Sequence, residues 1–250
     1  MSAYDYQNSK QRVIKILTSK TEIKKTETIP SNENEFTYEN GIKTMVGALF
    51  VDIRQSTKYF KENKSETVSR VMRAFCSEVI AILKTDENYR QIGIRGDCVY
   101  GIFSAPSNRD VENILHNAAR INTFQNMFQS ILAKNHMPTF QIGIGLGCSE
   151  DLVIKAGNKG TGINDLIWIG DAVIDACKLS SERNTRKFSP ILMDKCFYNK
   201  IKDMAINDGK TCAQHCWDLN SEKIGTKVWG CNLVNTEFND YLKRTVNGSR

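Results

Sequence analysis

The sequence predicts an α+β fold, an antiparallel sheet with helices packed on it, preceded by an N-terminal helix and followed by a C-terminal extension. Three observations predict it. The run MVGALFV at 45–51 is continuously apolar, as in a strand buried on both faces, and it stops abruptly at Asp52. QIGIR at 91–95 and CVYGIF at 98–103 are separated only by Gly96 and Asp97, the spacing of a tight hairpin. Between and after them, apolar side chains recur at three- and four-residue steps, through Val68, Val71, Met72, Phe75, Val79 and Leu83, and again from Val111 to Leu132. That is the helical period.

The remaining elements follow in order. Residues 5–22 carry a short apolar stripe of Ile14, Ile16 and Leu17 among charges, and read as a helix. Residues 23–40 are polar and contain Pro30, so they read as a loop. The helix over 109–134 stops before Pro138. FQIGIGLG at 140–147 alternates and bears glycines, a strand whose expected partner is VIKA at 153–156. A glycine-rich loop at 157–162 leads to a strand at 166–169 and a helix running to Ser181. Residues 191–193 and 227–234 are late strand candidates, and Glu237 to Arg244 a last helix. The expected layout has the helices on one face of the sheet. Three segments result: 1–40 as N-terminal helix and linker that contacts a second subunit, 41–205 as the main domain, and 206–250 as an extension packed on it.

The chain has 250 residues, enough for one domain with extensions. Its net charge of +6 is mild, and much of it lies in the first 25 residues. No interleaved aromatics accompany that charge, so no nucleic-acid partner is expected. The N-terminus is polar and no apolar run approaches membrane length, so neither a secretory leader nor a membrane partner is expected. The eight cysteines then read as thiols of a cytoplasmic protein. Cys212, His215, Cys216 and the later Cys231 have a poor spacing for zinc.

The chemistry points elsewhere. Phosphoryl transfer needs divalent cations held by oxygen ligands, because charge spreads over the phosphate oxygens. Asp52 ends one buried strand and Asp97 sits in the turn of the next hairpin. If the hairpin lies beside the strand, the two carboxylates converge. After Asp52 the chain enters a helix through Arg54, Gln55, Ser56 and Thr57, whose first backbone N–H groups and hydroxyls suit an anion or a helix cap.

Three segments in this order, FVDIRQST at 50–57, IRGDCVYG at 94–101 and IGDAVIDACKLS at 169–180, resemble the class III adenylate and guanylate cyclase domain over roughly residues 43–200. The likeness is nearest to the pyrimidine (uridylate or cytidylate) cyclases of bacterial Pycsar antiphage defence. By that resemblance Asp52, Asp97 and the carbonyl of Ile53 hold two divalent metal ions, Mn2+ or Mg2+. Lys178 stands at the position of the transition-state arginine, and Asp175 substitutes for the ribose-orienting asparagine whose place is taken by Ile174. The purine-reading lysine position is Gly93 and the second base-reading position is Ile167. Losing both polar contacts argues against adenine and guanine. Phe50 and Arg95 are then candidates to flank a smaller base, with Arg54, Ser56, Thr57, Lys155 and Lys159 as candidate phosphate contacts. The implied activity is conversion of UTP or CTP to the 3′,5′-cyclic monophosphate, a second messenger for antiviral defence. The implied assembly is a homodimer with composite sites. A purine cyclase with unusual base readers, and a silent cyclase-like nucleotide-binding module, are the alternatives.

Overall fold

The computed structural model describes residues 4–182, 189–206 and 208–245. Its centre is a pair of long antiparallel strands, β2 (Asn40–Ile53) and β5 (Ile142–Asn158), in register from Gly41 opposite Ile154 to Ile53 opposite Ile142. The hairpin of β3 (Tyr89–Arg95) and β4 (Cys98–Ser104) adds to the free edge of β2. On the other side β5 pairs in parallel with β7 (Ile191–Met193), which pairs with β9 (Lys227–Cys231), and β9 with β8 (Cys216–Asn220). The path β3-β4-β2-β5-β7-β9-β8 is joined by β1 (Glu22–Lys25) on β2 and β6 (Ile163–Ile169) on β5.

Alternation along β2 assigns the two faces. Leu49, Val51 and Ile53 point into a core closed by α3 (Ser65–Leu83), α4 (Asn108–Lys134) and α6 (Lys195–Ile201), which contribute Phe75, Phe124, Phe128 and Phe197. Ala48 and Phe50 point the other way, towards Ala172 and Ala176 of α5 (Asp171–Ser180). Helices therefore cover both faces, where the sequence suggested one. The reason lies in β5. Its glycines Gly143, Gly145 and Gly147 face α5, and a Cβ at any of them would collide with a backbone carbonyl oxygen of Ser180, Ala176 or Ala172. The glycine strand is thus the seat of a helix lying against the sheet backbone.

Four other expectations change. The segments at 140–147 and 153–156 belong to one continuous strand rather than a pair. Ser149, Glu150 and Asp151 look like a turn in sequence, but β2 is long enough to give each a partner. Glu150 is bound by Lys25 and by Lys43, the latter at 3.2 Å, and Asp151 is fully buried beside the start of α5. The polar stretch 23–40 includes the end of β1, whose charged side chains stay in solvent while its backbone pairs with β2. The first helix, α1, is shorter than expected, Ser9–Leu17, and has no buried residue. The late strand ends at Cys231 rather than at residue 234. The last helix, α7 (Thr236–Thr245), lies where it was expected. A short helix, α2 (Ser56–Glu62), follows Asp52.

Candidate active site

The β3–β4 turn contains only Gly96 and Asp97, because Arg95 pairs directly with Cys98. Gly96 takes φ 61, the positive value that a two-residue hairpin needs at its first turn position. This tight turn delivers Asp97 to the end of β2. Asp52 is there, close enough for the Asp97 charge to act on its carboxyl, and both side chains line one cleft. Burial, then the Asp97 charge, push the Asp52 carboxyl up to about 6, and Lys223 partly opposes them. Two acids forced together in a half-buried site are what a divalent cation relieves, and their hard oxygen donors suit Mg2+ or Mn2+. No group of three or more His, Cys, Asp or Glu side chains among the described residues forms a metal cluster. The donor set is therefore sparse, and suits an ion that keeps some of its water.

The acids open onto a cleft of about 740 Å³. Ile53, Arg54, Ser56 and Thr57 line it with them, together with Ser181 and Lys223. Gln55, also in the lining, has φ 57, a left-handed conformation that turns the chain sharply from β2 into α2. Arg54 is held as a tie rather than a free cation. Its guanidinium donates to the carbonyls of Ile142 at 3.0 Å, Glu182 at 2.8 Å and Ser189 at 3.4 Å. It joins the ends of β2, β5 and α5.

Lys223 escaped the sequence reading. It sits in the turn between β8 and β9, reaches the cleft, and donates from its ammonium to the Ser181 carbonyl at 2.7 Å. Only pairing of the C-terminal hairpin with the main sheet brings it there, and no local pattern signals that pairing.

The other predicted residues lie outside this cleft in the same chain. Phe50 is buried and stacks on Tyr100, ring centroids 5.1 Å apart and planes 13° apart. A Cβ built on Gly93 would lie 2.5 Å from the Tyr100 ring and hydroxyl, so Tyr100 fills that space. Arg95 is exposed at the hairpin end, and Ile167 is exposed on β6 at 44%. Asp175 is half-buried on α5, and burial, then Asp171, push its carboxyl up. Lys178 is exposed one turn later, and Ile174 beside Asp175 is exposed as well. Lys155 and Lys159 stand near the far end of β5, Lys159 6.0 Å from the Tyr38 ring centroid. The cysteines at 212, 216 and 231 lie together at the base of the β8–β9 hairpin as free thiols.

A uridylate cyclase of Treponema porcinum is 36% identical over 244 residues, covering 96% of this chain and 82% of the relative. The chain belongs to the uridylate cyclase family. A second uridylate cyclase, from Gulbenkiania mobilis, is 31% identical over 185 residues and 71% of each chain. No family model matches. Among solved structures, the guanylyl cyclase Cya2 aligns with a TM-score of 0.63 at 15% identity, over 80% of this chain and 97% of that one. The adenylyl cyclase CyaB from P. aeruginosa aligns at 0.61 and 17% identity, over 76% and 95%. At such identities these two speak for the class III cyclase fold. Among the described residues no helix is long and apolar enough to cross a membrane.

Proposed function

We propose that the protein closes UTP, with CTP as the related substrate, into the 3′,5′-cyclic monophosphate and pyrophosphate. The observation that carries this is the convergence of Asp52 and Asp97 at one cleft in a chain of the uridylate cyclase family. Two divalent ions, Mn2+ or Mg2+, would be held there by Asp52, Asp97 and the Ile53 carbonyl, and when bound supply charge neutralisation and acidify the ribose hydroxyl. The 3′-oxygen loses its proton to water and attacks the α-phosphorus, and the bond from that phosphorus to the bridging oxygen of pyrophosphate breaks. Lys223 would meet the polyphosphate as a point charge, with the Ser56 and Thr57 hydroxyls beside it. Arg54 fixes the walls of the cleft through its carbonyl ties.

The choice of a pyrimidine is supported by what the chain lacks. Gly93 has no side chain and its space belongs to Tyr100, while Ile167 offers only apolar surface. Neither position can pair with a purine edge, and an apolar wall gives no preference for one. Phe50, Arg95 and Tyr100 form the surroundings of a smaller ring. The placement of Lys178 and Asp175 supports a composite site. Both lie on α5 outside the cleft of their own chain, and a twofold dimer would supply them from the partner. The exposed Val13, Ile14, Ile16 and Leu17 of α1 are suited to clasp that partner. A reducing cytoplasm fits eight free cysteines, and a cyclic nucleotide made there serves as a second messenger in antiviral defence.

The test is incubation with UTP, CTP, ATP and GTP in turn, each with Mn2+, followed by mass spectrometry. Cyclic UMP, with cyclic CMP as the lesser product, is expected. Cyclisation of ATP or GTP alone would overturn the pyrimidine assignment, and no cyclic product from any would make the fold a silent binding module.

A further inference from the structure

We propose that Glu182 is a positioning residue, whose carboxylate fixes the turn that presents Lys223 to the substrate's polyphosphate. The proposal deepens the reading of the cleft given above and rests on it.

Glu182 follows the end of α5 and is only 3% exposed. A carboxylate so buried requires partners, because desolvation costs more than any unpaired charge returns. Its partners include one turn of the C-terminal hairpin. The Ser221 hydroxyl donates to it at 2.6 Å and the Lys223 backbone N–H at 3.3 Å. The Ser221 oxygen in turn accepts the Ile224 N–H at 3.1 Å. The carboxylate thus grips the backbone of the residue whose side chain lines the cleft with Asp52 and Asp97. The ammonium is steadied by the carbonyl of Ser181, the residue before Glu182. The carbonyl of Glu182 itself receives Arg54, two residues beyond Asp52. One residue therefore links the end of α5, the strand that carries Asp52, and the turn that carries Lys223. A lysine on an untethered hairpin turn would sample many positions. Ordering it beforehand removes that entropy from the binding step.

The experiment is a thermodynamic cycle on the full chain. Inorganic tripolyphosphate with Mn2+ is titrated by calorimetry into wild type, Glu182→Ala, Glu182→Gln, Lys223→Ala and the double alanine variant, and UTP turnover is measured on each. Glu182→Ala is expected to weaken tripolyphosphate binding about tenfold, close to Lys223→Ala, the scale of one charge-assisted hydrogen bond. The double variant should bind no more weakly than Lys223→Ala alone, since both changes remove the same contact. Glu182→Gln keeps an acceptor oxygen and should stay within about threefold of wild type. For UTP, KM should rise in parallel while kcat holds within about threefold, the mark of lost uniform binding. Unchanged binding in Glu182→Ala, or effects that multiply in the double variant, would overturn the proposal. If circular dichroism shows Glu182→Ala unfolded, Ser221→Ala takes its place in the cycle with the same non-additivity expected. Wild type that binds tripolyphosphate but makes no cyclic nucleotide would end the cyclase reading and leave the cycle to decide Glu182. Wild type that binds no tripolyphosphate would end both.

Discussion

At Asp52 the chain buries an acid beside a second acid, and the carboxyl rises to about 6 through burial first and the Asp97 charge second. An acid whose folded pKa exceeds its unfolded value of about 3.9 destabilises the fold wherever the folded form is ionised. That penalty is complete above about 6 and disappears as pH falls towards about 4. Solvent screening at this half-open site reduces it to about 1 kcal/mol. Asp52→Asn should therefore raise the metal-free Tm by about 2–4 °C at pH 7.5 and by only about a third as much at pH 4.5, read by calorimetry. Cyclic product should fall at least about a thousandfold in the same variant, because the charge that holds the cation is gone. Equal Tm shifts at both pH values would refute the electrostatic account. The same acid predicts competition between protons and cations. Mn2+ titrations should show affinity falling as pH drops below about 6, with protons released on binding near that pH. Affinity independent of pH between 5 and 7 would mean that Asp52 holds no metal. Both aspartates were legible in sequence, Asp52 because it ends an apolar strand abruptly and Asp97 because it sits in the two-residue turn of the next hairpin. Lys223 was not, since a lysine in a polar turn is like any other until tertiary pairing brings it into the acids' cleft.

Among the elements, β5 shows where sequence periodicity succeeds and where it fails. Its glycines were visible as alternation, and the strand was expected on that basis. Their purpose was not visible, because it depends on α5, which begins after the next strand and settles on the glycine face. The polar triplet at 149–151 interrupts the apolar pattern, and pairing with the long β2 opposite carries the strand through it. The close approach makes a sharp prediction. Gly145→Ala would place its Cβ against the Ala176 carbonyl and the Ser180 N–H of α5, backbone groups that cannot rotate away. We expect a loss of about 3 kcal/mol, the scale of overpacking in a rigid core. Urea denaturation measures it, as a lower midpoint at unchanged slope. A loss under about 0.5 kcal/mol, the level of an ordinary surface change, would mean that α5 is free to lift from the sheet.

The whole molecule extends the same logic beyond one chain. The α+β class was readable from the order of strands and helices, and the observed sheet and the solved class III cyclase structures bear it out. What no pattern disclosed is that the last hairpin joins the main sheet through β7, so that the C-terminal segment shares one layer with the site. Nor can one chain bring every candidate residue together. Asp52 and Asp97 line the cleft, whereas Lys178 and Asp175 sit outside it on α5. If a twofold dimer completes two equivalent sites, each site takes its acids from one copy and its lysine from the other. Asp97→Ala and Lys178→Ala homodimers would then each lack one half of both sites and be inactive. Mixed in equal amounts under conditions that exchange subunits, half of the dimers are heterodimers by random pairing. In each of these one site receives both mutations and the other receives none. Half the dimers with one good site of two gives about a quarter of wild-type cyclic UMP formation. The measurement is product formed against mixing time, compared with each variant alone. A mixture as inactive as its components, once exchange is verified by mass, would place acids and lysine in the same chain's site, and the composite dimer would have to be abandoned.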